Sequence, residues 1–427
     1  RDTTARQRDV ETFWRTGVLD PESNVQFGEG GAGAFSDGKL NTGTKDLRHR
    51  WILEELVRCG APESILTDAK PHVGTDMLHI ALQNLRQELL SLGAQVRFGH
   101  RLEGLESREG VLTGLHVRTG EGTYRLPVRA VVLAPGHSAR DTFQMLYEAG
   151  IPMEAKPFAV GVRIEHRQRD MDAAQYRQYA GHPCLPASTY KLSCHTAAGR
   201  GVFSFCVCPG GQVVAAASEP GRLCTNGMSN HARNEENING ALLVTVTPED
   251  FGTDHPLGGV FLQEKLEEAA FRLGGGDYSA PCQRVEDFLL ASAIAGGGKS
   301  QAILPSRCDL DGAAPVLARH LSRTPWRRRC PFWEKNSTAY DDPRCGASPP
   351  LRAAAPAPFG SHGIDRAERP AGAVPLRRGR RLCRGYYVRS GRRHPHGRKA
   401  GAGAEILTCK YLYILSKLAV SFSFQTE

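Results

Sequence analysis

Apolar residues recur at helical spacing in four stretches of the chain. The clearest stretch is 77–90, where they follow a period near 3.6 residues and Gly93 comes after them as a stop signal. Thr75 or Asp76 is the expected N-cap of this helix. The same spacing predicts helices near residues 9–14, 50–58 and 258–273.

Other stretches alternate or are continuously apolar, as strands do. Residues 95–98 are predicted to form a strand, and residues 114–117 and 123–126 a hairpin. The run 130–134 is apolar throughout, which is typical of a central parallel strand buried on both faces. The turn after such a strand is where open α/β sheets bind ligands, although a plain strand-to-helix turn remains the alternative.

From about residue 151 the pattern changes to strands separated by glycine-containing turns. We expect residues 201–208 and 212–217 to pair as a hairpin, and residues 226–229 to form a tight turn. Further strands are predicted at 159–165 and 241–246. Cys206 and Cys208 lie on one of these strands. We expect their thiols on opposite faces, which favours ordinary strand cysteines over a redox pair.

A glycine-rich loop at residues 25–40 carries the most specific chemistry. Gly28, Gly30 and Gly33 match G-x-G-x-x-G, but that pattern indicates a dinucleotide site only after a strand and before a helix. Turn residues flank the loop on both sides, at 20–24 and 36–38. The pattern therefore favours a loop held against a cofactor by the rest of the fold.

Four motifs together resemble one family. FGEGGAGAFSDGKLN at 27–41, APGHSA at 134–139, CVCPGG at 206–211 and NGMS at 226–229 are similar to segments of a group of FAD-dependent dehydrogenases. These are glutathione-reductase-like flavoproteins with two dinucleotide sites and a family-specific C-terminal domain. The resemblance covers residues from about 8 to about 305.

The resemblance implies an α/β fold in three parts. Residues 1–150 would be an incomplete FAD/NAD(P)-binding Rossmann-like domain, and 151–305 a β-rich FAD-dependent-protein C-terminal or substrate domain. Residues 306–427 would be an unstructured tail rich in Arg, Pro and Ala. The implied function is an FAD-dependent oxidoreductase acting on an unknown small-molecule substrate.

The resemblance also implies which residues bind FAD, although it names no catalytic residue. The implied cofactor-binding residues are Gly28, Glu29, Gly30, Gly31, Ala32, Gly33, Phe35, Ser36, Asp37, Gly38, Lys39, Pro135, Gly136, His137, Pro209, Gly210, Gly211, Asn226 and Gly227.

Both ends of the chain depart from the family. The expected strand, the true G-x-G-x-x-G turn and the ribose-binding acidic residue do not precede the loop, and the chain opens on Arg1. Beyond about residue 305 the periodicity ends. Read one base out of frame, residues 373–399 can encode the Gly-Glu-Gly turn and glycine-lined helix of the family's last FAD motif. We therefore expect a missing first βαβ unit and a frameshift after about residue 305.

Charge and cysteine content narrow the remaining alternatives. The net charge is +9, but nine arginines and Lys399 lie within 376–400. Without those ten cations the rest of the chain carries −1. An Arg-rich nucleic-acid-binding protein is therefore a weaker alternative to the flavoprotein. A non-catalytic α/β fragment is a further alternative. Twelve cysteines without a C-x-x-C pair favour reduced cytoplasmic thiols and no metal site. No apolar run reaches the ~18 residues of a membrane span.

Purified protein of this sequence is expected to show little or no bound flavin. Two phosphate-facing elements are not encoded as readable sequence, and each would place N–H groups and a helix dipole against an anion, worth up to ~2 kcal/mol. The visible absorption spectrum after purification measures this directly. Flavin bands that copurify with the protein would contradict the expectation.

Overall fold

The computed structural model describes residues 1–40, 48–195 and 199–284, with three short strands at Pro350–Arg352, Ala373–Val374 and Tyr386–Arg389. Apart from those strands, the tail predicted at 306–427 lies outside the described residues. The out-of-frame motif at 373–399 lies outside them too, except where the last two strands fall within it.

The predicted N-terminal helices are confirmed. They are α1 (Thr3–Thr16), α2 (Arg48–Arg58) and α3 (Thr75–Ser91). The apolar faces of α1 and α3 share one buried core, which includes Val10, Phe13, Trp14, Leu78, Leu82 and Leu85. The predicted N-cap of α3 is wrong, because Gly74 occupies that position and Thr75 is the first helical residue. The Thr75 hydroxyl donates instead to the carbonyl of Ser36, so it joins the helix to the glycine-rich loop.

Three antiparallel strands follow α3. They are β1 (Arg101–Arg108), β2 (Val111–Thr119) and β3 (Gly122–Pro127), and the predicted hairpin is β2–β3. The strand predicted at 95–98 is wrong, because these residues have no regular structure and lead into β1. Val96 and Phe98 are only partly buried, so alternation there does not mark a sheet face.

The apolar run at 130–134 becomes β4 (Ala130–Leu133), which leads to α4 (Arg140–Glu148). Val131 and Leu133 are buried in a core with Leu146 of α4, while Ala130 and Val132 are half-buried. The described partner of β4 is the strand Tyr386–Arg389, and the pairing is antiparallel. The predicted central parallel strand is therefore wrong as far as the described pairings go, and the run is apolar because one face covers the core.

A six-stranded sheet forms the centre of the second half. Its long strands are β5 (Phe158–Arg167), β7 (Gly201–Cys208) and β10 (Asn237–Val246). Its short strands are β6 (Ser193–His195), β11 (Gln283–Arg284) and β12 (Pro350–Arg352). The strand order across the sheet is β11-β12-β5-β10-β7-β6. Two helices accompany it, α5 (Gln168–Tyr176) and α6 (Gly258–Leu273), and α6 packs Leu262 and Leu266 on the sheet core.

The hairpin partner of residues 212–217 differs from the prediction. β8 (Gln212–Ala215) pairs with β9 (Thr225–Met228) and not with β7, so residues 226–229 belong mainly to a strand and not to a turn. The chain leaves β7 because the Gly211 amide donates to the Asn237 carbonyl on β10, at 2.7 Å. This hairpin joins the N-terminal core through the Trp14 indole, which donates to the Ala215 carbonyl at 2.8 Å.

The described part of the chain is thus a mixed α/β fold with antiparallel sheets. Every strand pair between the described elements is antiparallel. The Rossmann-like part of the predicted fold is not confirmed by these pairings. Within the described residues, no helix is long and apolar enough to cross a membrane.

One buried histidine predicts how stability depends on pH. His166 of β5 is 7% exposed, and burial lowers its pKa to about 4. Between pH 6.5 and 4 the unfolded chain therefore binds a proton that the folded chain does not, so stability falls as the pH falls through this window. The loss should reach about 3 kcal/mol, since each pKa unit corresponds to about 1.4 kcal/mol. Urea titrations at several pH values measure it.

The His166 and Tyr190 ring centres lie 5.9 Å apart. His166→Phe keeps a ring at this position and removes the titrating group. Between pH 6.5 and 4 the variant should lose about 3 kcal/mol less stability than wild type. His116→Phe makes the same change at an exposed position of β2 and is the matched control. Equal slopes for wild type and His166→Phe would contradict the assignment.

Candidate functional site

A buried arginine holds the glycine-rich loop from inside. Arg6 of α1 has no exposed surface, and its guanidinium lies 5.0 Å from the centre of the Phe35 ring. The guanidinium donates to four carbonyls, those of Asn24, Val25, Glu29 and Gly31. Burial lowers the pKa of Arg6 to about 9. The path of the loop is therefore set by a cation of the chain itself.

Arg6 is absent from the predicted site residues. One signal could have found it: Arg6 shares a helical face with Val10 and Phe13, at spacings of i+4 and i+7. A charged residue on an otherwise apolar face must be paired or hydrogen-bonded when it is buried.

Packing within the chain explains two of the predicted cofactor-binding glycines. Gly28 has a φ of 94° and Gly30 a φ of 82°, both in the left-handed region. A Cβ at Gly28 would lie 2.5 Å from Cδ of Arg6, and one at Gly30 would lie 2.4 Å from Cδ1 of Leu82. Gly33 differs, because a Cβ there would meet only Leu78, at 4.0 Å. Gly33 is where the loop backbone has room beside it.

The residues around these glycines have internal roles. Gly31–Phe35 form a 3-10 helix, in which Gly31 is buried and Ala32 half-buried. The Glu29 carboxylate accepts from the Thr3 amide at 2.9 Å and from Arg86 at 3.2 Å. Burial raises the pKa of Glu29 despite these donors. Its negative charge lies at the first turn of α1, where the helix dipole favours an anion.

The end of the loop meets the second half of the chain at the Asp37 carboxylate. Asp37 is 1% exposed. Arg233 donates to both carboxylate oxygens, at 3.1 and 2.6 Å, and Lys39 Nζ lies 2.9 Å from one of them. The Ser229 hydroxyl donates to it as well. We call Asp37, Lys39, Ser229 and Arg233 the Asp37 junction.

Electrostatics in the Asp37 junction favour its charged forms. Burial alone would raise the pKa of Asp37, but Lys39, Arg233 and Ser229 together lower it below its usual range. Burial would likewise lower the pKa of Lys39, yet the neighbouring Cys208, Cys206 and Asp37 raise it. The junction is therefore a paired cluster of charges, and Lys39 keeps 29% of its side-chain surface exposed.

A second buried network lies beside the junction. Asn226 of β9 donates to the Phe35 carbonyl at 3.2 Å and accepts from Arg163 of β5, also at 3.2 Å. Arg163 donates in addition to Asn239 Oδ1 and to the Cys206 carbonyl, both at 3.0 Å. Gly227 lies against this network, because a Cβ there would come 2.2 Å from Asn239 Oδ1.

The turn after β7 also reaches the junction. Pro209, Gly210 and Gly211 are buried, and a Cβ at Gly210 would lie 1.8 Å from the Arg233 carbonyl. The Gly210 amide donates to Gln168 Oε1 at 2.9 Å. Predicted residues from three separate stretches, at 35–39, 209–211 and 226–227, thus lie together.

The fourth predicted segment, at 135–137, lies next to a residue that contacts the start of the loop. Pro135 and His137 are half-buried and Gly136 is exposed. Next to them, the Ser138 hydroxyl donates to Gln26 Oε1 at 3.2 Å and lies 2.9 Å from His137 Nδ1. The contact joins this turn to Gln26, two residues before Gly28. A direct role of Pro135, Gly136 and His137 at the cofactor stays a prediction.

Unsatisfied buried donors test whether these residues fit a flavin. In the part of the chain that the structure describes, Arg163 Nε, Asn239 Nδ2 and Thr225 Oγ1 are buried and lack a hydrogen-bond partner. Arg163, Asn239 and Thr225 each have no exposed surface. Such groups are costly unless a partner supplies the missing bond. The partner that each of them lacks is a hydrogen-bond acceptor, and the carbonyl groups of a flavin ring are acceptors of that kind.

The structure also corrects the expectation for Cys206 and Cys208. Residues two apart on a regular strand share a face, and here the Cys208 thiol donates to the Cys206 carbonyl at 3.3 Å. The expectation of opposite faces is therefore wrong.

Among the described residues, no group of three or more His, Cys, Asp or Glu side chains could hold a metal ion.

Two comparisons with known proteins found similar sequences. A protein of Clostridium beijerinckii, described as an uncharacterized protein, is 51% identical over 289 residues, which are 67% of this chain and 54% of that protein. The chain therefore spans about half the length of the relative it matches. Residues 157–323 match the model of the FAD-dependent protein, C-terminal domain-like family. The matched region is similar to that family of C-terminal domains, and it contributes β5, β7, β9 and β10 to the site.

Proposed function

We propose that this chain is part of an FAD-dependent oxidoreductase that moves hydride or electrons between the flavin and a small-molecule substrate. One observation carries the proposal: the Asp37 junction gathers the glycine-rich loop, the turn after β7 and the strand β9 at one place. The family description of residues 157–323 supports FAD as the cofactor. A Rossmann-like dinucleotide domain and a cytoplasmic location remain parts of this proposal.

The residues of the site would bind and orient the cofactor. When bound, FAD supplies the hydride or electron transfer, and the protein supplies position and electrostatics. The loop backbone at Gly33 has room for a ligand to approach. The buried donors of Arg163 and Asn239 would satisfy acceptors on a ring edge.

Lys39 has an electrostatic part in this proposal. Its pKa is raised because Cys208, Cys206 and Asp37 outweigh the effect of burial, so it stays protonated at neutral pH. A protonated ammonium cannot serve as a general base, but it stabilises negative charge that develops beside it. Lys39 would therefore favour a reduced, anionic form of a neighbouring group.

The room at Gly33 allows a direct test. Gly33→Ala should leave the fold intact, because the added methyl group meets only Leu78 at 4.0 Å. If FAD approaches this backbone, the same methyl group should raise the Kd for added FAD by about tenfold or more, since about 1.4 kcal/mol is tenfold. Titration of FAD fluorescence against the wild-type and variant chains measures both constants.

Gly120→Ala is the matched control. Gly120 lies in the turn between β2 and β3, and a Cβ there would meet nothing within 4 Å. The control should bind FAD like wild type, and all three proteins should share one melting temperature. Binding weak enough to be lost on purification is expected from the missing phosphate-facing elements. An unchanged Kd in Gly33→Ala, or a wild-type titration that never saturates, would contradict the proposed flavin site.

A further inference from the structure

The bulge in β7 brings two cysteines together. Cys208 pairs with Asn239, and Phe205 with Ala241, so Cys206 and Val207 together lie opposite Gly240. Cys206 has a φ of 45°, which is in the left-handed region. A non-glycine residue in such a conformation is strained and is held there by its surroundings. The Cys208 thiol donates to the Cys206 carbonyl at 3.3 Å, so the Cys208 sulfur lies against residue 206.

Two cationic side chains, those of Lys39 and Arg163, contact these two residues. Lys39 Nζ lies 3.7 Å from Cys208 Sγ, and Arg163 donates to the Cys206 carbonyl at 3.0 Å. Arg163 is fully buried, and its Nε–H has no hydrogen-bond partner in the described part of the chain. Positive charge beside a thiol stabilises the thiolate, which is the nucleophilic form.

The two thiols differ in protonation and in access. Interaction with the Cys208 side chain, together with the charges of Lys39 and Arg163, lowers the pKa of Cys206 well below its usual range although burial opposes it. Interaction with Cys206 and burial raise the pKa of Cys208. Cys206 is half-buried and Cys208 has no exposed surface. In contrast, burial raises the pKa of Cys59 and Cys224.

We propose that Cys206 and Cys208 form a thiol–disulfide exchange site, in which the half-buried Cys206 attacks a small disulfide and the buried Cys208 resolves the adduct. This site uses residues of β7 and the loop and needs no flavin. Lys39 is a positioning residue for it, because its ammonium holds negative charge at the sulfur atoms.

The exchange balances without another reactant. The Cys206 thiolate attacks one sulfur of a disulfide RSSR, which gives a Cys206–SR mixed disulfide and releases RS⁻. The RS⁻ takes the proton of Cys208, and the Cys208 thiolate then attacks Cys206 Sγ and releases a second RS⁻. Two electrons have passed from the dithiol to the substrate, and the chain holds a Cys206–Cys208 disulfide.

Oxidised glutathione is the probe, added to the full reduced chain without flavin. Cleavage by trypsin after Arg200 and Arg222 yields one peptide, 201–222, in which Cys206 and Cys208 are the two cysteines. In wild type this peptide should lose two hydrogens by mass spectrometry. In Cys208→Ser, it should instead keep a glutathione adduct at Cys206, because the resolving thiol is gone.

Two further variants separate the roles. Cys206→Ser should form no adduct at the buried Cys208. In the Cys208→Ser background, Lys39→Met should slow adduct formation at pH 7 by about tenfold, which corresponds to about one pKa unit, and Lys39→Arg should restore it. Cys224→Ser is the matched control at another buried cysteine, and it should react like wild type.

Three outcomes would overturn the proposal. They are a stable adduct in wild type without the internal disulfide, equal adduct rates in the two single cysteine variants, and an unmodified peptide 201–222. The wild-type reaction alone decides the first and third, so the proposal stays testable if a variant fails to fold. Because flavin is omitted, failure here would leave the proposed FAD site standing, and loss of FAD binding would leave the exchange site standing.

Discussion

The rest of the site depends on the hydrogen bonds and ion pairs that the buried Asp37 carboxylate makes. Removing a carboxylate from water is costly unless partners replace its hydration, and here two cations and a hydroxyl do so. Two of the partners, Ser229 and Arg233, follow β9, so the end of the glycine-rich loop has one low-energy position against them. That position sets where Lys39 lies, and with it the charge beside the cysteines of β7.

A second constraint is the buried guanidinium of Arg163. It links β5 to β9, to β10 and to the bulged part of β7 through three acceptors. The bulge at Cys206 is therefore held by neighbours and is not a loose end of a strand. Strain at one residue, maintained by a network of buried partners, is typical of positions that serve binding or chemistry. The flavin and thiol proposals share this scaffold, including the Lys39 ammonium and Arg163, and only the thiol proposal uses the sulfur atoms of β7.

The glycines of the loop show why a motif is an incomplete guide to a site. Gly28 and Gly30 match the dinucleotide pattern, yet each is required because a side chain of the protein occupies the space that a Cβ would need. Gly33 belongs to the same pattern and has free space. Identical letters thus serve internal packing at two positions and leave room for a ligand at the third.

Local periodicity was enough to predict α1, α2, α3, α6 and the β2–β3 hairpin, because each depends on contacts between residues close in sequence. Resemblance was enough to select residues 35–39, 209–211 and 226–227, which do lie together. The pairing of β8 with β9, the roles of Arg6 and Arg163, and the hydrogen bond from the Cys208 thiol to the Cys206 carbonyl were decided only by tertiary structure. Asp37 meets Ser229 and Arg233 across separations of 192 and 196 residues. No pattern within a short window carries such contacts, since they arise from desolvated charges finding partners only once the chain has folded.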